Sequence, residues 1–128
     1  MSRGLRLLVP ALLLATSACA RSGGDADEVE PSNTRPVTVE VLNRFALAVD
    51  LYAYGSGITQ RLGTVDPGMR ADFVLPQNLI GGGAVRFEAR PGGNGQPFRS
   101  GDILLAPGSV VDFVVASQLF NSTVTRRP

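Results

Sequence analysis

Histidine, lysine and tryptophan are all missing from this 128-residue sequence, and cysteine occurs once, at Cys19. These absences exclude zinc sites built on histidine, histidine-based catalytic triads and lysine Schiff-base chemistry. A single cysteine cannot form an intramolecular disulfide, so the folded part must be stabilised by its apolar core alone.

Neither sign of charge is in excess. Twelve arginines stand against eleven carboxylates, a formal net charge of +1, so the composition lacks the basic excess of nucleic-acid-binding domains. Once a leader and a linker are set aside, about 90 residues remain, enough for one domain with one core. We expect neither a nucleic-acid partner nor a second domain.

The amino terminus has the three parts of a secretory signal. Arg3 and Arg6 precede an apolar run over residues 7–14, and small residues follow up to Cys19. The run is far shorter than the ~20 residues of a membrane-spanning helix, and Pro10 would disturb such a helix. We therefore predict a signal peptide over residues 1–18 rather than a transmembrane anchor.

The sequence Ser17-Ala18-Cys19 resembles the lipobox of bacterial lipoprotein precursors, although Thr16 stands where that motif commonly has leucine. The resemblance implies that the Cys19 thiol is acylated, that cleavage occurs before it, and that the protein is anchored in the cell envelope. Two or three acyl chains make a durable anchor. Because Ala20, and not aspartate, follows the cysteine, the resemblance favours the outer membrane, facing the periplasm, in a Gram-negative host. The alternative is a plainly secreted protein with a chance cysteine.

Residues 19–35 form the predicted lipidated amino terminus and a flexible acidic linker, since they are rich in Ser, Gly and Asp and poor in apolar residues. As a coil the linker would hold the domain on the order of 20–25 Å from the lipid. Its acidic residues lack the glycine turn and distal glutamate of a calcium-binding loop. We interpret them as a solvated spacer and expect no metal or cofactor.

Residues 36–128 change to a period of two, which is typical of strands with one buried face. The predicted core-facing sets include Val37, Val39 and Val41; Leu47, Val49, Leu51 and Ala53; Ala71, Phe73 and Leu75; Val85, Phe87 and Ala89; Val111, Phe113 and Val115. Turns with Gly and Pro separate these runs.

About seven short strands with no helical period predict an all-β domain, a single small β-sandwich of immunoglobulin-like architecture. We further predict a final hairpin over residues 100–116 and a short edge strand near residues 122–125. Short pieces such as residues 39–43 and 73–76 resemble a pattern of small exported bacterial β-domain proteins, and that resemblance implies no activity.

No catalytic motif is apparent. Ser56 lies between two glycines but lacks both the setting of a nucleophile elbow and a histidine to activate it. Acid/base chemistry by paired carboxylates remains an alternative, although each candidate is predicted at an outward, solvated position or beside a turn. The candidates are Glu40, Asp50, Asp72, Glu88, Asp102 and Asp112.

Two features suggest binding. Tyr52 and Tyr54 on one strand, with Arg86 and Arg90 on another, would form an aromatic and basic face suited to sugar rings or an acidic polymer if they are contiguous. Separately, Leu79 and Ile80 either plug the end of the sandwich or form a contact loop.

These observations lead to three functional hypotheses. The first is a membrane-tethered, non-enzymatic envelope protein that acts as a structural or protein-interaction module, through a sheet edge or end loops. The second is a domain that binds cell-wall glycan or another envelope polymer. The third, a carboxylate-based hydrolase, requires two carboxylates in one cleft. The sequence leaves the oligomeric state open.

Overall fold

The computed structural model describes residues 35–127. The predicted signal peptide, the lipidation site Cys19 and the linker up to residue 34 lie outside the described residues.

The described chain is almost entirely β-structure, because nearly every run with a period of two forms a strand. Its elements in chain order are β1 Val37–Asn43, β2 Val49–Gly55, β3 Ile58–Val65, β4 Arg70–Leu75, α1 Gln77–Ile80, β5 Ala84–Pro91, β6 Phe98–Arg99, β7 Ile103–Leu104, β8 Val110–Val115 and β9 Thr123–Arg127. A single 3-10 turn, Leu119–Asn121, precedes β9.

The strands form two sheets. The first has the order β4-β1-β8-β9, in which β1 and β8 run parallel and the other pairs are antiparallel. The second has the order β3-β2-β5-β6, with β7 also paired to β5, and is antiparallel throughout. The predicted all-β sandwich is therefore confirmed in its two-sheet architecture.

The core lies between the sheets and takes one face of each central strand. Val39 and Phe113 of the first sheet and Leu51 and Phe87 of the second are fully buried. The Phe87 and Phe113 rings meet edge to face across the two sheets, with centroids 6.1 Å apart. Such contacts, together with the burial of apolar area, are the main source of stability in a domain without disulfides.

The two ends of the sandwich differ. Arg35 and α1 lie at one end, where the Gln77 side chain donates to the Arg35 carbonyl at 3.4 Å. We call this the tether end, because the chain enters the domain there. The other, free end carries the loops around residues 44–48, 66–69, 92–97 and 116–122.

Several details of the predicted fold are wrong. The described residues contain nine strands rather than seven, and α1 is a one-turn helix where no helix was predicted. The final hairpin does not form, because β7 pairs with β5 of the second sheet while β8 joins the first. Leu47 is half exposed instead of facing the core, since it lies in the loop before β2. The predicted short edge strand is present as β9.

Candidate functional site

The outer face of the second sheet carries the most chemically distinctive group of side chains. In the antiparallel pair β2–β5, Tyr52 lies opposite Glu88 and Tyr54 lies opposite Arg86. Their neighbours Leu51, Ala53 and Phe87 point into the core, so strand alternation directs these four side chains outward. Adjacent strands thus place the predicted tyrosines and arginines on one surface.

Glu88 is the centre of this surface. Its side chain is only 3% exposed although it lies on an outer face. Oε2 accepts hydrogen bonds from the Tyr54 hydroxyl at 2.7 Å and from Arg99 Nε at 3.3 Å, and Oε1 accepts one from Arg90 Nε at 2.5 Å. We call Glu88, Tyr54, Arg90 and Arg99 the Glu88 cluster. The sequence-based prediction of a solvated carboxylate at Glu88 is wrong, because Tyr54 and Arg99 on the neighbouring strands and Arg90 on the same strand cover it.

The cluster keeps Glu88 ionised. Desolvation by burial raises the pKa of Glu88, but the hydrogen bonds from Arg90 and Tyr54 and the charges of Arg90 and Arg99 outweigh it, so this pKa lies below its ordinary value of 4.5. For Tyr54, desolvation and the hydrogen bond to Glu88 raise the pKa above 10.0. At neutral pH the cluster therefore holds a carboxylate, a neutral phenol and two guanidinium groups.

Arg90 also covers Tyr52. Its guanidinium carbon lies 4.2 Å from the centroid of the Tyr52 ring, a cation–π distance, and its Nη2 donates to the Tyr54 hydroxyl at 3.0 Å. One face of the Tyr52 ring is therefore occupied by a side chain of the same protein. This arrangement presents guanidinium groups, rather than an open aromatic ring, to a ligand.

A cleft of about 540 Å³ opens beside the Glu88 cluster, toward the tether end. Its floor and walls come from β2, the β2–β3 turn, β5 and β6 and from the segment after β6. The lining residues are Tyr54, Gly55, Ser56, Gly57, Ala84, Arg86, Phe87, Glu88, Arg90, Arg99 and Asp102. Arg86 Nε donates to Asp102 Oδ1 at 2.6 Å across the mouth, and both side chains are about two-thirds exposed.

The small-residue wall of the cleft is set by the β2–β3 turn. Ser56 and Gly57 have φ values of 52° and 73°, the paired positive values of a two-residue hairpin turn. Ser56 Oγ accepts a hydrogen bond from the Gly82 amide at 2.9 Å and donates to the Leu79 carbonyl at 3.3 Å. The hydroxyl thereby fixes the turn to α1 and has a structural role.

Leu79 and Ile80 do not form a contact loop. They lie in α1 with exposed fractions of 0% and 8%, and they belong to the core cluster that closes the tether end. The amphipathic single turn directs both side chains inward, where they close the end of the sandwich to water. Of the two alternatives for this segment, the structure contradicts the contact loop and agrees with the plug.

Sequence reasoning missed Arg99 and the partnership of Glu88 with Asp102 in one cleft. Arg99 lies in a two-residue strand opposite Glu88, and so short a strand has no visible period. Asp102 follows it in a segment without regular structure. Only the alternation of Arg86, Glu88 and Arg90 signalled that this face of β5 is highly charged.

The other carboxylates are paired or exposed elsewhere. Asp50 accepts hydrogen bonds from Thr64 and Arg61 on the second sheet, and the bond from Thr64 is the main reason that its pKa lies below the ordinary value. Glu40 and Asp112, on the first sheet, share Arg127. Within residues 35–127, no group of three His, Cys, Asp or Glu side chains is placed to hold a metal ion.

Comparison with known proteins adds little. No family model and no curated protein matches the sequence. An NMR structure of a protein from Eubacterium rectale overlaps 74% of this chain and 91% of its own, with a TM-score of 0.49 and 13% identity. Similarity at this level says nothing about a ligand or an activity. In the part of the chain that the structure describes, no helix has the length and apolar character needed to cross a membrane.

Proposed function

We propose that this protein is a membrane-tethered, non-enzymatic binding module of the bacterial cell envelope, and that the cleft beside the Glu88 cluster is its binding surface. The observation that carries this proposal is the convergence of Arg86, Arg90 and Arg99 on one concave surface over a buried carboxylate. Clefts of this volume with a few convergent polar groups are the usual form of a ligand site.

The tether rests on the amino-terminal sequence. The resemblance to a lipobox supports acylation of Cys19 and export, with the outer membrane as the destination in a Gram-negative host. The entry of the chain at the tether end supports the same proposal, because the cleft then opens on the flank of a domain that a linker holds near the membrane.

A protein partner is the second candidate function, and one observation favours it. Leu47, Met69 and Phe120 are exposed by 50%, 57% and 77%, and all three lie in loops at the free end. Exposed apolar side chains collected at one end are suited to a protein contact. Such a contact would use the free end and leave the cleft available.

A hydrolase receives less support. Glu88 and Asp102 do share the cleft, but both oxygens of Glu88 accept hydrogen bonds and its pKa lies below the ordinary value. A general acid needs a raised pKa at neutral pH. The arrangement supports a carboxylate that positions arginines.

The immunoglobulin-like architecture stays a prediction. Two facing sheets and the crossing of consecutive strands between them support it. The placement of β1 and β2 in different sheets speaks against it, because the first two strands of an immunoglobulin domain share one sheet.

Site-specific photo-crosslinking in the native host tests the proposed function. A benzoylphenylalanine at Thr59, which lies opposite Tyr54 on β3, samples the outer face of the second sheet. The same probe at the exposed Thr125, opposite Asp112 on the first sheet, is the matched control. We expect an envelope component to be captured from Thr59 and not from Thr125, and the protein to leave the membrane fraction when Cys19→Ala is introduced. Equal capture at both positions, or none at Thr59, would contradict the binding surface, and a membrane-bound Cys19→Ala variant would contradict the lipid tether.

A further inference from the structure

We propose that the cleft recognises an acidic polysaccharide, with Arg86 and Arg99 binding its carboxylate groups. This inference rests on the proposed function, because it names the ligand class of the same cleft.

The charge of the cleft suits an anionic ligand. Three guanidinium groups and two carboxylates line the cleft, which leaves one positive charge in excess. Glu88 is enclosed by its donors, so its negative charge is already neutralised before a ligand arrives. An anionic ligand therefore meets an electropositive surface at low desolvation cost.

Arg86 and Arg99 keep hydrogen-bond donors available for a ligand. Within the described residues, Arg86 and Arg99 each form their one hydrogen bond through Nε, to Asp102 and to Glu88, and their side chains are 66% and 72% exposed. Their Nη groups therefore face solvent as donors. Guanidinium groups bind carboxylates through pairs of parallel hydrogen bonds, which gives geometric selectivity as well as charge attraction.

The spacing of Arg86 and Arg99 suits a polymeric ligand. Arg86 lies two residues before Glu88 on β5, about 7 Å along the strand, and Arg99 lies directly opposite Glu88 on β6. The two arginines thus flank one side of the cleft at separate positions. A polymer with a carboxylate on each sugar can contact both, whereas a small monocarboxylate can contact one.

Within residues 35–127, the cleft has no large exposed apolar side chain in its lining. The exposed large apolar side chains of the described residues are Leu47, Met69, Val74, Leu104 and Phe120, and none of them lines the cleft. Contiguous exposed apolar side chains are what marks many protein interaction surfaces. Instead, the wall of Gly55, Ser56, Gly57 and Ala84 leaves room above the sheet, and Asp102 offers an acceptor for sugar hydroxyl groups.

The test is a binding assay on the full chain carrying Cys19→Ser, which prevents acylation. Immobilised polygalacturonate is the probe, with neutral dextran and dextran sulfate as comparison polymers. We expect saturable binding to polygalacturonate, none to dextran, and weaker binding to dextran sulfate. Arg86→Gln and Arg99→Gln should each weaken polygalacturonate binding about tenfold, as loss of a charge-assisted pair implies.

Arg70→Gln is the matched control, since it removes an exposed arginine from the first sheet, and we expect its affinity to stay within about twofold of the parent. Arg86→Lys should also bind weakly, because an ammonium cannot form the bidentate pair. Arg86 is largely exposed, so these variants test the site even if Arg99→Gln perturbs the Glu88 cluster.

The unfavourable outcomes are distinct. Equal losses for Arg86→Gln and Arg70→Gln would mean unspecific charge attraction and would overturn the inference. Tighter binding to dextran sulfate would overturn the assignment to carboxylates. Failure to bind any of the three polymers, combined with a Thr59-specific crosslink to a protein, would overturn the ligand class and leave the proposed binding surface standing. Failure of both experiments would overturn both.

Discussion

The Tyr54 hydroxyl donates a 2.7 Å hydrogen bond to Glu88 Oε2 across the β2–β5 pair. A carboxylate on the outer face of a sheet is ordinarily hydrated. Here the hydrogen bonds from Tyr54, Arg90 and Arg99 replace those from water. The same contact withdraws the tyrosine hydroxyl from solvent. Together these groups convert four separate surface side chains into one fixed arrangement, on which the proposed binding surface depends.

Removing the charge of Glu88 should destabilise the domain in a pH-dependent way. We expect Glu88→Gln to lower the free energy of unfolding at pH 7 by about 1–3 kcal/mol, because its donors lose a charged acceptor. Since the pKa of Glu88 is depressed in the folded state, its contribution is complete above the unfolded value near 4.5 and is lost as pH falls below it.

Urea unfolding at pH 7, 5, 4 and 3 measures this. The difference between the parent and Glu88→Gln should shrink as the pH is lowered. Glu40→Gln is the control, because Glu40 is half exposed on the first sheet, and its effect should be small. A constant difference at all four pH values would show that Glu88 does not titrate as the structure requires.

The strands that carry the Glu88 cluster could be predicted from the sequence, but the contacts within the cluster could not. Alternation identified the buried faces of β1, β5 and β8 because each central strand has one side against the core. Alternation also placed Tyr52, Tyr54, Arg86 and Arg90 on outer faces. It could not indicate that Glu88 is buried, since that burial depends on Tyr54 and Arg99 from two neighbouring strands as well as on Arg90.

The sequence pattern also could not show which strands belong to which sheet. Residues 100–116 contain a Pro-Gly turn between two apolar runs, the local pattern of a hairpin. The long-range pairing of β7 with β5 prevails over that pattern and places Asp102 beside Arg86. Likewise the single turn of α1 is too short to show a helical period, so the sequence left open whether Leu79 and Ile80 plug the end of the sandwich or form a contact loop.

Tyr54→Phe tests the other half of the opening contact. Loss of the hydroxyl removes one donor from a buried carboxylate and should cost about 1–2 kcal/mol. Because the pKa of Tyr54 lies above 10.0, the ultraviolet titration of phenolate in the folded protein should contain a component above pH 10 that is missing in Tyr54→Phe. If the component that is missing from Tyr54→Phe titrates below pH 10 in the parent, Tyr54 is not shielded by Glu88.

Asn43 should be the most sensitive polar residue outside the cleft. It is fully buried, and Nδ2 donates to the carbonyls of Leu47 and Val65 at 2.9 Å while Oδ1 accepts from the Phe45 amide at 2.8 Å. Asn43→Ala leaves these buried and part-buried backbone groups without partners and should lower the free energy of unfolding by about 2–3 kcal/mol. Asn78→Ala, at an exposed position of α1, should change it by less than about 0.5 kcal/mol, and equal effects in thermal unfolding would contradict the assigned network.

Gly55 ends β2 where the chain passes under α1, and the structure leaves no room there for a side chain. A Cβ at this position would lie 2.4 Å from the Leu79 carbonyl oxygen and 3.2 Å from Val85 Cγ2, so Gly55→Ala must displace backbone in α1. Overpacking of this kind costs about 1–3 kcal/mol. Gly101→Ala is the matched control, because a Cβ there meets nothing within 4 Å. Thermal unfolding should separate the two variants clearly.

Since Gly55 also lines the cleft, a stable Gly55→Ala protein with unchanged polygalacturonate binding would show that neither α1 nor this wall is fixed as the structure describes.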